Sequence, residues 1–166
     1  MGLDMFIVGK NFLWSYPEDG EDRLIAKQIA LMFPNIGDAK VNEIYAEFAR
    51  WRKANAIHKW FVDNVQDGED DCKEAYLEKT DLEKLLFVVN EVLEDNTKAE
   101  KLLPTTKGFF FGDTAYNEWY FEDLRYTKEK IGFMAACLRF FGKKPSQTAH
   151  EFGAEVSALT PADLAA

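Results

Sequence analysis

The chain has 166 residues, 47% of them hydrophobic and 14% aromatic, with a formal net charge of −9. That is the usual size of one domain, with enough apolar material for a core, so global disorder is excluded. The acidic balance repels a phosphate backbone, which disfavours duplex nucleic acid as a partner. The 20 basic residues interspersed among 29 acidic ones read as a solvated surface more simply than as a mimic of DNA.

In chain order, Leu3 to Phe12 is a short apolar run that predicts an opening strand. Pro17 and Gly20 mark a turn. Leu24, Ile25, Gln28 and Leu31 then recur at helical spacing from Glu21 to Phe33, and Pro34 with Gly37 would end that helix. A second strand is expected from Val41 to Phe48, with Ile44, Ala46 and Phe48 on one face. Next, a helix is expected from Arg50 or Trp51 to Gln66, burying Ala54, Ile57, Phe61 and Val65. Residues Cys72 to Glu78 suit a third strand. Thr80 and Glu83 read as a capping box opening a helix through Leu82, Leu85, Leu86, Val89 and Leu93.

A short helical turn is expected between Asn96 and Leu103. The string GFFFG, Gly108 to Gly112, reads either as a buried strand or as an aromatic loop. A long helix from Thr114 to Phe141 follows, its core stripe running from Tyr120 through Leu124, Ile131, Met134 and Leu138 to Phe141, with Gly142 as its stop. Elements mingle without a βαβ rhythm, which predicts an α+β fold: a small antiparallel sheet of about three strands packed with about four helices. Residues 1–142 form that single domain, and 143–166 form a tail in which Thr148 and Glu151 suggest a short docked helix before Pro161.

Several chemistries are not expected. No run of about 18 apolar residues is present to span a membrane. The N-terminus lacks a basic region followed by an apolar stretch, which argues against a secretory signal, and Phe6 stands where a myristoylation signal needs Ser or Thr. Cys72 and Cys137 do not make a disulfide framework, so a cytoplasmic location is expected, and with the distant His58 and His150 they do not make a zinc-ligand spacing. The carboxylates Glu69, Asp70 and Asp71 are wrongly spaced for an EF-hand loop. No phosphate-binding glycine loop, GxSxG or HExxH motif occurs. No metal and no cofactor is expected.

Two stretches carry the binding chemistry. In RKANAIHKWF, Arg52, Asn55 and Lys59 sit three and four apart, which on a helix makes one polar stripe beside Lys53 and His58, bordered by Trp51 and Trp60. Arginine grips a phosphate or carboxylate with two parallel hydrogen bonds, lysine adds a point charge, and an indole offers a stacking face. The plainer alternative is a solvated helix face with a structural histidine and core tryptophans. In GFFFGDTAYNEWYFED, Gly108 to Asp123, Phe109, Phe111, Tyr116, Trp119 and Tyr120 suit a pocket wall, though a packed core is the plainer reading. His58 with Asp70 or Asp71 would be the acid–base pair of a small hydrolase.

The segments MGLDM, RKANAIHKWFVDNVQDGEDDC and LLPTTKGFFFGDTAYNEWYFEDL, covering Met1 to Met5 and Trp51 to Leu124, resemble a family of small accessory proteins encoded by bacteriophages and prophages. This chain departs from the pattern in having Ala49 and Arg50 before Trp51, where relatives carry Gly-Tyr, and in its tail beyond Gly142. The resemblance brings no reaction or catalytic residue. It implies a protein made in the cytoplasm of an infected bacterial cell that counters host defence, by sequestering a small anionic ligand such as a nucleotide signal or by binding a host protein. A homo-oligomer is compatible with an exposed aromatic cluster.

Overall fold

The structure is a computed structural model that describes residues 4–33, 40–71, 73–108, 112–141 and 154–159. Its strands are β1 (Asp4–Phe12), β2 (Glu43–Arg52), β3 (Ala75–Leu77) and β4 (Ala154–Leu159). Its helices are α1 (Glu21–Ala30), α2 (Asn55–Val65), α3 (Lys79–Glu94), α4 (Ala99–Leu102) and α5 (Glu118–Phe141). A 3-10 turn, Asn96–Lys98, leads into α4. Among the described residues the strands form one antiparallel sheet in the order β2-β1-β4-β3. The fold is α+β, and no helix among the described residues is long and apolar enough to cross a membrane.

The core lies between the sheet and helices α2, α3 and α5. Met5 and Ile7 of β1 and Ala49 and Trp51 of β2 meet Ile57 and Phe61 of α2, Leu82, Leu85 and Val89 of α3, and Leu124 and Ile131 of α5. The helical residues come from the apolar stripes legible in the sequence. The face of β2 does not. Ala46 is exposed and Phe48 half-buried, whereas Ala49 and Trp51 are buried. The reason is a bulge: the register with β1 slips between Ile7↔Ala49 and Val8↔Glu47, leaving Phe48 as an extra residue. One extra residue exchanges the two faces of a strand from that point on.

The expected helix start at Arg50 or Trp51 is also corrected. β2 runs on to Arg52, because Trp51 pairs with Met5 and Arg52 with Asp4 across the sheet. Lys53 then adopts a left-handed backbone (φ 60°) and turns the chain into α2. The capping box of α3 uses Glu78 and Asp81 in place of Thr80 and Glu83. Further on, α5 starts at Glu118, after the expected Thr114. In the tail, residues 154–159 form β4 where a docked helix was expected; Thr148 and Glu151 lie outside the described residues. An uncovered edge of β1 presents unpaired N–H and C=O groups, and pairing them outweighs the weak helical preference of this segment.

Candidate functional site

Where β2 passes into α2, a cleft of about 470 Å³ opens between that junction and the first turns of α5. Arg52, Lys53, Trp119 and Asp123 line it, with Thr105 and Gly112 on the connection between α4 and α5. The volume is within the ordinary range for a small-molecule site.

Strand alternation places Trp51 inward and Arg52 outward. Arg52 and Lys53 are exposed, and among the described residues neither makes an ion pair. Gly112 is also left-handed (φ 76°), and a side chain there would meet the Cβ of Lys53 at 3.3 Å, so glycine permits the close approach of this loop to the Lys53 stem. No side chain caps α2 at Ala54, and its first-turn residues Ala56 and Ile57 line the cleft. The partial positive charge of that helix end adds to the two cations.

The loop wall is tied down at three points. The Asn55 side chain donates to the Thr106 carbonyl oxygen and accepts from the Thr106 N–H, each at 2.7 Å. Thr105 Oγ1 donates to the Thr114 carbonyl oxygen at 2.9 Å. Tyr120, buried, donates its hydroxyl to the Leu103 carbonyl oxygen at 3.0 Å, and burial pushes its phenol above the usual value. Asn117 caps α5 by accepting from the Tyr120 N–H. Asp113 holds Asn117 in turn, accepting from its Nδ2 at 2.9 Å.

The other wall is acidic. Asp123 is half-buried, and its carboxyl is pushed up to about 6 by burial and secondarily by the negative charge of Glu122. Among the described residues its carboxylate has no hydrogen-bond donor and no cation beside it. The cleft therefore carries both signs of charge in its lining, Arg52 and Lys53 together with Asp123 and Glu122.

Of the residues singled out in the sequence, Arg52, Lys53, Asn55, Trp119 and Tyr120 come together on this cleft. Asn55 lines it, yet both polar atoms of its side chain are engaged by Thr106. Tyr116 stands beside it, edge-on to Tyr120, with its hydroxyl accepting from the Thr105 N–H. Phe109 and Phe111 lie outside the described residues.

The expected polar stripe of Arg52, Asn55 and Lys59, with His58 beside it, does not form, because Arg52 stands on a strand. Trp51 is core: its indole N–H donates to Thr127 Oγ1 at 2.8 Å, and its ring meets Phe61 and Tyr126. His58 is buried, with Nδ1 3.1 Å from the Met5 sulfur and Nε2 2.9 Å from an Asp70 carboxylate oxygen. Lys59 pairs with Asp63 one helical turn on. Trp60 is buried against a different, shallow groove with Asn64 and Phe87. Asp113, Glu122 and Asp123 fall within the stretch Gly108 to Asp123 but were not singled out; Glu122 and Asp123 are adjacent acids in the first turns of α5, and Asp113 lies in the loop before it. Among the described residues no group of three or more His, Cys, Asp or Glu side chains is placed to hold a metal ion.

No family model, no curated protein and no solved structure matches the chain.

Proposed function

We propose that the protein binds a small anionic ligand, a nucleotide, in the cleft between the β2–α2 junction and α5. The observation that carries this reading is the pair Arg52 and Lys53, two exposed cations that make no ion pair among the described residues of a chain of net charge −9, set beside a helix N-terminus without a side-chain cap. An exposed guanidinium and an ammonium beside the positive end of a helix form a setting a phosphate takes. Trp119, 75% exposed on the rim, offers a face for a base. The role is sequestration within a phage accessory protein acting against host defence, the setting that the sequence resemblance implies. A thermal-shift screen against nucleotides and cyclic oligonucleotides tests it, with each mixture checked for breakdown. A ligand at a hundred times its Kd adds about 2.7 kcal/mol, enough to raise the melting point by several degrees. A shift with intact ligand supports sequestration, and no shift across the panel overturns it.

A protein-binding inhibitor is the second reading. It is favoured by Phe12, Trp14, Tyr16, Leu31 and Met32, all more than half exposed around the end of β1 and α1. Large exposed apolar side chains are candidate contacts for a partner protein. A stable complex recovered from host lysate, together with a silent nucleotide screen, would favour this reading.

A further inference from the structure

The proposed anion site leaves one wall of the cleft unused. Asp123 lies half-buried on that wall, on the second turn of α5, and among the described residues nothing donates to its carboxylate. The neighbouring acids differ. Asp113 is occupied twice, accepting from the Ala115 N–H at 3.1 Å and from Asn117 Nδ2 at 2.9 Å. Glu122 is exposed to solvent. A half-buried acceptor without a donor is an unmet demand, because water compensates it only in part. A ligand that fills the cleft and supplies N–H groups at that wall would meet the demand.

We infer that Asp123 reads the base of the bound nucleotide and selects guanine over adenine, Arg52 and Lys53 holding the phosphate and Trp119 stacking on the ring. The chemistry follows from the two base edges. An ionised carboxylate has two oxygens that accept and no proton to donate. Guanine presents N1–H and N2–H side by side, two parallel donors that match those oxygens. Adenine presents one donor, its exocyclic amine, beside the N1 lone pair, which a carboxylate repels. Burial and Glu122 hold the carboxyl at about 6, so above neutral pH it is mostly ionised and stays acceptor-only. Arg52, Lys53 and Asp123 line the one cleft, and a nucleoside monophosphate offers a phosphate to the two cations and a base to the carboxylate.

This inference rests on the nucleotide reading above, and one set of titrations separates the two. GMP and AMP are titrated at pH 7.5 into the wild type, Asp123→Asn and Arg52→Ala. Wild type is expected to bind GMP at least about tenfold more tightly than AMP, the usual worth of a two-point base contact. Asp123→Asn replaces one acceptor by an N–H₂ donor, which suits the N1 and amine edge of adenine. It is expected to lose the guanine preference and gain affinity for AMP. Arg52→Ala is expected to weaken both nucleotides alike and leave their ratio unchanged. Equal affinities in the wild type, or an unchanged ratio in Asp123→Asn, would overturn base selection by Asp123 while leaving the phosphate site standing. Failure of both nucleotides to bind the folded wild type would overturn both readings.

Discussion

The carboxamide of Asn55 and the main chain of Thr106 exchange two hydrogen bonds of 2.7 Å, one in each direction. A residue at the first position of α2 thereby holds a loop 51 positions further along the chain. The loop in turn forms one wall of the cleft, so Asn55 acts on the site through Thr106. This makes it a positioning residue.

Asn55→Ala is expected to lower stability by about 2–3 kcal/mol, since it removes two hydrogen bonds and leaves two main-chain groups of Thr106 without partners. Urea denaturation measures the loss. Amide exchange at Thr106 should accelerate in the same variant. Unchanged exchange would mean that the loop is held elsewhere.

Asp123 is expected to oppose folding at neutral pH. Its folded pKa, about 6, lies above the ordinary 3.8. Between those values the folded state binds more protons than the unfolded one, so stability falls as pH rises through the window. Asp123→Asn removes that penalty. The variant should be more stable than the wild type at pH 8 by on the order of 1 kcal/mol after solvent screening, with a smaller difference at pH 5. Thermal melts at the two pH values test this. A variant less stable than the wild type at pH 8 would mean that the carboxylate has a donor in solution.

His58 and Asp70 are expected to be structural. The imidazole is buried, both of its nitrogens have neighbours, and it does not line the cleft. His58→Ala should cost about 2–4 kcal/mol through the cavity and the unpaired groups it leaves. Nucleotide affinity of the folded fraction should stay within about twofold, since no contact to ligand is lost. A hydrolytic activity abolished by His58→Ala in a protein that remains folded would reverse this reading in favour of a His–Asp hydrolase.

How far the sequence carried depends on how local each signal was. Helix α3 was legible because Leu82, Leu85 and Val89 repeat on one face, and the structure buries all three. The polar stripe on RKANAIHKWF failed for a reason that no helical period contains. Trp51 and Arg52 pair with Met5 and Asp4, nearly fifty residues away, and the bulge opposite Ile7 and Val8 decides which of them points inward. Asp123 escaped notice because its setting is made by distant pieces: α5 brings it to the cleft that Arg52, at the end of β2, also lines, across 71 positions of chain. Strand β4 was hidden likewise, since only the exposed edge of β1 gives its segment a reason to be extended.

The most direct test of the proposed function is calorimetric titration of GMP into the wild type and into Arg52→Ala, with a melting curve for each protein. Arg52 is exposed at the end of a strand and makes no ion pair among the described residues, so its truncation should leave the melting point nearly unchanged. The expected result is a loss of affinity of at least about tenfold in the variant, the usual worth of a charge-assisted contact to phosphate. Binding of equal strength in the folded Arg52→Ala protein would contradict the assignment of this cleft as an anion site.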